Sequence, residues 1–457
     1  MSPPQSDRWT LRAVRNGDKN LGLIRSPKGY LNFERYKRTV ADLNRLLEKS
    51  ADNGGVRLSL SNYHDGTLSP VRSGDLLRAA AEYERNPFYP YFSRRLTEAI
   101  EKERPDIAGF SVNYLSQALS AFAMMGFLRA RFPGVRIVAG GGLVTSWVRS
   151  PGWKNPFTGL VDNVVDGPGE QALLSLAGKD SSRLTDAVPS FDPFPLGSYF
   201  SPGPILPYST SSGCYWNRCS FCPEKAEGTR YRQSRPGSVA EEVRALSAKM
   251  RPALLHFLDS ALSPAVMKTL AKTPPGAPWY GFVRITQRLA DPDFCRALKA
   301  SGCVMLKLGL ESGDQAVIDA EDKGIDLTVA SRALTALKGA GIATYAYFLF
   351  GTPSESEDAA RRTLDFVVRH HAYVDFLNLA IFNMPVNSPD AARFGTAPHY
   401  DGDLSLYTGF SHPKGWDRAR VRSFLEREFK KHPAIGPIVA KDPPHFTSNH
   451  APFFAGV

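Results

Sequence analysis

From Val56 onward, short apolar runs alternate with stretches whose apolar residues recur every three or four positions. "VRLSLSNY", "PDIAGFSVNY" and "GVRIVAGGGLVTS" read as strands, while "FSRRLTEAIEKE" and the stretch from Leu115 to Phe132 read as amphipathic helices. "LVDNVVDGPGEQALLSLAG" adds a strand, a turn and a helix. This alternation predicts a doubly wound parallel α/β sheet of flavodoxin or Rossmann type over residues 51–187. Ligands of such sheets lie at the carboxyl ends of the strands, where Gly140, Gly141 and Gly142 fall.

A second series follows, with strands expected at 254–259, 279–284, 304–311, 343–351 and 374–382 and helices such as "DPDFCRALKASG" and "TVASRALTALKGAG" between them. Counting the strand before Cys214, this makes about six βα units over residues 208–386, the pattern of a partial or complete barrel. Three flanking segments differ in texture. Residues 1–50 read as a basic helical extension, and 188–207 as a packed, extended linker rich in proline and aromatics. Residues 387–457 form a small α-helical C-terminal region whose one clear helix is "WDRARVRSFLEREFKKH".

Composition narrows the class. Hydrophobic residues make up 42% and charged residues 22% of the 457, values of a globular chain that argue against disorder. No run approaches the roughly 18 apolar residues of a membrane span, and "MSPPQSDRW" lacks a secretory pattern, so a cytoplasmic protein is expected. The formal charge of +11 is compatible with nucleic acid. No helix-turn-helix, zinc-finger or RNP pattern accompanies it, so a solvated basic surface is the simpler reading and nucleic acid is not the expected partner.

Chemistry concentrates in "SSGCYWNRCSFCPEK", where Cys214, Cys219 and Cys222 are spaced C-x4-C-x2-C directly after a predicted strand. Three thiolates so close suit zinc or an iron–sulfur cluster rather than a disulfide framework. Structural zinc needs a fourth ligand. Cys295 and Cys303 sit in apolar runs and read as buried small hydrophobes, and His256 within a strand reads as a core or edge residue. A cubane on three thiolates keeps one iron open for chemistry. At this level both metals remain open.

The loop resembles the cluster motif of the radical S-adenosylmethionine superfamily, C-x3-C-x-aromatic-C, with Phe221 at the aromatic place and one extra residue in "YWNR". The order of further motifs is similar from 205 to 382. The resemblance implies that Asp259 in "HFLDSALSP" receives the amino group of S-adenosylmethionine and that Arg284 in "WYGFVRI" pairs with its carboxylate. It likewise implies that Glu311 and Ser312 in "KLGLESG" contact ribose or the methionyl part. "YFLFGTPSES", with Gly351, Pro353 and Glu355, matches the adenine-facing segment. Implied in turn are a 4Fe–4S cluster, reductive cleavage of S-adenosylmethionine to a 5′-deoxyadenosyl radical, hydrogen abstraction from an unactivated carbon, and an external reductant such as flavodoxin or ferredoxin.

Residues 56–180 resemble the cobalamin-binding domain found before the barrel in one branch of that superfamily, through "PDIAGFSVNY", "VRIVAGGG" and "VVDGPGEQALL". The implied contacts are Ser111, Gly140, Gly141 and Gly142. The lower-ligand motif D-x-H-x-x-G is absent, since His64 in "SNYHDG" has different surroundings. Three functions follow: a radical enzyme that methylates carbon with cobalamin, a radical enzyme with a vestigial first domain, or, in another class, a zinc protein that binds nucleic acid. The substrate is not legible and no catalytic side chain is assigned. His399, Tyr400, His445 and His450, set among aromatics, mark the C-terminal region as a candidate substrate cap.

Overall fold

The computed structural model describes residues 7–51, 55–180, 188–398, 400–444 and 450–456. The chain forms two compact units: one of Asn44–Val188 with Met384–Phe410, the other of Met1–Leu43, Pro189–Asn383 and Ser411–Val457.

In the first unit, β1 (Val56–Leu58) and β2 (Tyr63–Asp65) form an antiparallel hairpin of their own. The expected first strand of the parallel sheet therefore turns back on itself. Ser59 is the reason: its N–H donates to the Asn62 carbonyl at 2.9 Å and its hydroxyl accepts from the Asn62 N–H, also at 2.9 Å. The parallel sheet holds β3 (Ile107–Ser111), β4 (Arg136–Gly140) and β5 (Asn163–Val164) in chain order. Helix Leu115–Arg131 covers it, and Leu76, Phe122, Met125, Trp147 and Phe157 fill the core.

The second unit is built on a six-stranded parallel sheet in the order β13-β12-β11-β10-β9-β6. Its strands are β6 (Ile205–Tyr208), β9 (Leu254–Phe257), β10 (Trp279–Val283), β11 (Cys303–Glu311), β12 (Ala343–Phe350) and β13 (Phe376–Ile381). The short pair β7 (Ser211–Ser212) and β8 (Arg232–Gln233) stands apart. Strand order follows chain order across the sheet and β6 does not pair with β13, which gives the expected partial (β/α)6 barrel. Side chains of Ser263, Asp291, Asp326 and Ser356 cap the helices that return the chain. Alternation divides the strands: Leu306, Leu308 and Leu310 pack outward with Leu334 and Leu337, while Tyr280, Met305, Tyr345 and Phe376 turn inward with Ala451 of the tail.

The single helix expected at 416–432 is interrupted. Helix Arg418–Phe424 gives way to a π turn at Leu425–Phe429. An i→i+5 turn brings Phe424 and Phe429 to one side, where both rings meet Phe350 at 6.2 and 5.4 Å. Among the described residues, no helix is long and apolar enough to cross a membrane.

Candidate functional site

The three-cysteine loop leaves β7 and ends at the short helix Pro223–Ala226. Its entrance is tied to the end of β9. The Asp259 carboxylate accepts from the Thr210 N–H at 3.0 Å, the Thr210 hydroxyl at 2.7 Å and the Ser211 hydroxyl at 2.6 Å. Its middle is clasped by the turn Glu321–Gly324. Trp216 Nε1 donates to the Asp322 carbonyl at 2.7 Å, Ser220 N–H donates to the Glu321 carbonyl at 3.0 Å, and the Ser220 hydroxyl donates to the Glu321 carboxylate. The Trp216 ring packs against Gly324, whose φ is +64°; a Cβ there would stand 2.2 Å from the ring. Within "YWNR", Asn217 takes φ +46°, a left-handed conformation that asparagine tolerates better than most residues.

Charge gathers on Cys219. This cysteine is buried, while Cys214 and Cys222 are half-buried. Burial pushes the thiols of Cys219 and Cys222 up; the cations Lys323 and Arg284 oppose this at Cys219, and the N–H groups of Lys225 and Glu224 oppose it at Cys222. Arg284 Nη1 lies 3.9 Å from Cys219 Sγ, its guanidinium stands 4.3 Å from the Trp216 ring, and Nη2 donates to the Lys323 carbonyl. Lys323 Nζ pairs with Glu311 Oε1 at 2.7 Å and sits 5.7 Å from the Phe221 ring. Phe221, Arg284 and Glu311 therefore converge with the cysteines.

Three thiols with two cations beside the buried one suit an anionic 4Fe–4S cluster, in which each thiolate binds a different iron. His256 is engaged elsewhere: it stacks on Tyr280 at 4.2 Å, and burial with Lys307 nearby drives it down to about 3.

The other expected residues divide. Glu311 holds φ +66° at a register shift in β11, a strained position at the strand end. Ser312 is buried, sharing a 3.1 Å hydrogen bond with the Thr363 hydroxyl and accepting from the Asp314 N–H at 3.1 Å. Gly351, at φ +81°, donates its N–H to Glu355 Oε2 at 2.5 Å, and Trp416 Nε1 donates to the same oxygen at 2.8 Å. Glu355 thus holds the "GTPSES" loop, Pro353 included, and burial pushes its carboxyl up to about 7. In the other unit, Ser111 pairs in register with Gly140. A Cβ on Gly141 would lie 2.6 Å from the Val112 carbonyl oxygen, and Gly142 N–H donates to Asn113 Oδ1 at 2.8 Å.

Four contributors escaped the sequence reading: Trp216, Glu321, Lys323 and Gly324. The polar "EDKG" after a short helix is the only mark of Glu321, Lys323 and Gly324 in the sequence, and Trp216 stands within "YWNR". Of the C-terminal candidates, His399 and His445 lie outside the described residues. Tyr400 is half exposed, whereas His450 is buried, bonded to Asp442 at 2.7 Å and packed on Tyr345 at a ring distance of 4.1 Å.

The model of the radical SAM superfamily matches residues 208–367. An uncharacterized methyltransferase of Pyrococcus horikoshii is 23% identical over 389 residues, 77% of each chain. A bacteriochlorophyllide d C-12(1)-methyltransferase of Chlorobaculum tepidum is 23% identical over 213 residues, 44% of this chain and 45% of its own. Among solved structures, the cobalamin-dependent S-adenosylmethionine radical enzyme OxsB superposes with a TM-score of 0.51 at 16% identity, over 68% of this chain and 52% of its own. The three-thiol loop and β9 to β12 of the partial parallel barrel thus lie in the segment, residues 208–367, that is similar to the radical SAM superfamily.

Proposed function

We propose that this protein is a cobalamin-dependent radical S-adenosylmethionine methyltransferase acting at carbon. The observation that carries the reading is the convergence of Cys214, Cys219 and Cys222 with Arg284, Lys323 and Glu311 at one end of the barrel strands. Methyl transfer is supported by the P. horikoshii relative, whose likeness extends well beyond the barrel, and the added first domain by the fold shared with OxsB.

In this reading Cys214, Cys219 and Cys222 hold a 4Fe–4S cluster. When bound, cluster and S-adenosylmethionine together supply a 5′-deoxyadenosyl radical on receipt of one electron. Arg284 and Lys323 balance the thiolate charge, and Phe221 and Glu311 line the approach. Ser312 and Gly351 shape the strand ends, and Asp259 fixes the loop entrance. Residues 51–187 carry cobalamin, with Ser111, Gly140, Gly141 and Gly142 at the strand ends nearest to it. The electron comes from a flavodoxin- or ferredoxin-like donor. Clustered thiols kept free support a reducing, cytoplasmic location.

A second reading, radical chemistry without cobalamin, is favoured by Gly141, whose missing side chain already serves the approach of Val112. Anaerobic reconstitution separates the two. About four irons per chain, a cobalamin absorbance, and 5′-deoxyadenosine after reduction with S-adenosylmethionine are expected. Iron without cobalamin selects the second reading. A colourless zinc protein, or a Cys214/Cys219/Cys222→Ala variant that still forms 5′-deoxyadenosine, overturns both.

A further inference from the structure

Most side-chain donors of the three-cysteine loop find acceptors within the protein. Ser211 donates to Asp259, Trp216 to the Asp322 carbonyl, Ser220 to Glu321, and Lys225 to the Arg218 carbonyl at 2.6 Å. The Tyr215 hydroxyl does not. Its oxygen is buried and, among the described residues, no group meets it at hydrogen-bond distance. A buried hydroxyl without a partner is costly, and one inside a loop of clustered thiols points to a group that binds there.

Its surroundings indicate which kind of group. Tyr215 follows Cys214 directly, and its ring meets Tyr231 edge-on, with centroids 6.3 Å apart. The Tyr231 hydroxyl is already committed to Gln233 at 2.7 Å. The charges of Arg284 and Cys214 both bear on the Tyr215 hydroxyl, and the same Arg284 lies 3.9 Å from Cys219 Sγ. A guanidinium only donates, so Arg284 cannot take the hydroxyl proton. The partner wanted is therefore an acceptor, and the chemistry gathered on that side is sulfur. A 4Fe–4S cluster held by the three thiolates brings sulfide and thiolate acceptors to this loop.

We propose that the Tyr215 hydroxyl donates its hydrogen bond to a sulfur of the cluster and thereby raises the cluster's reduction potential. An added electron makes the sulfurs better acceptors, so a donor beside them favours the reduced form. Tyr215 thus eases acceptance of the electron that starts the chemistry. The proposal rests on the cluster reading above.

The test compares the full, anaerobically reconstituted parent with Tyr215→Phe, which keeps the ring and removes only the hydroxyl. Iron content is measured first, and the cluster is then titrated potentiometrically by electron paramagnetic resonance without S-adenosylmethionine. The variant is expected to hold the parent's iron. At the parent's midpoint its reduced-to-oxidised ratio is expected to be about tenfold lower, a shift of about −59 mV for one electron. Tyr231→Phe, whose lost hydroxyl serves Gln233, is expected to leave the potential where it is. A ratio lowered by less than about threefold, or an equal shift in Tyr231→Phe, overturns the proposal. Loss of more than half of the iron in Tyr215→Phe also overturns it, since the hydroxyl is then structural. So does a shift seen only after S-adenosylmethionine is added, which assigns the hydroxyl to that molecule. A parent without iron overturns the cluster reading and this proposal together, whereas about four irons with an unmoved potential overturn this proposal alone.

Discussion

Replacing Gly324 by alanine should disable the cluster loop from a position that carries no ligand. The new Cβ would sit 2.2 and 2.4 Å from Trp216 Cζ2 and Cη2, so the indole must leave. With it go the hydrogen bond to Asp322 and the stacking on Arg284. Left-handed strain on alanine costs about 1–2 kcal/mol. The lost hydrogen bond costs about 1 kcal/mol, and the lost cation–π contact about another. Together these come to about 3–4 kcal/mol, roughly 8 °C in melting temperature for a unit of this size. Arg284 would also be freed from its place beside Cys219, so iron bound after anaerobic reconstitution should fall to less than half. Trp216→Ala supplies the control, because the double variant has room for the Cβ and retains only the backbone strain. Its loss should be clearly smaller than the two single losses added. A Gly324→Ala protein with full iron and a melting temperature within about 2 °C of the parent would refute the clasp.

Two further expectations bear on the same unit. Asn217→Val places a β-branched residue at φ +46° and should lower both iron content and melting temperature, while Asn217→Gly should leave them within about 0.5 kcal/mol of the parent. Glu355, raised to about 7, stabilises the fold most when protonated; that stability is present below about 4.5 and is lost as pH rises through about 7. The parent should therefore melt lower at pH 8 than at pH 5 by more than Glu355→Gln does, and equal slopes in a pH series of melting curves would count against this.

The barrel was legible because a strand buried on both faces leaves an unbroken apolar run, as in "VMLKLGLE" and "ATYAYFLFG". The three clustered thiols were visible as a spacing, C-x4-C-x2-C, directly after a strand. Where alternation failed, it failed for physical reasons. "VRLSLSNY" has the same period whether it joins a sheet or folds back at Ser59, and only the Ser59–Asn62 hydrogen bonds decide. Helical periodicity over 416–432 could not register a π turn, since the demand for it comes from Phe350, far away in the chain. The clasp at Glu321–Gly324 lies about a hundred residues from Trp216 and follows from tertiary contact.

The layer of Trp416, Phe424 and Phe429 on Phe350 and Glu355 also bears on how the chain is made. Residues 411–456 emerge from the ribosome after every strand of the barrel, so until then Phe350 and the Glu355 carboxyl lack their cover. Folding of this unit has to finish after synthesis has passed them, and a fragment cut at 386 would keep all six strands yet present a bare aromatic face to water, a surface prone to aggregation.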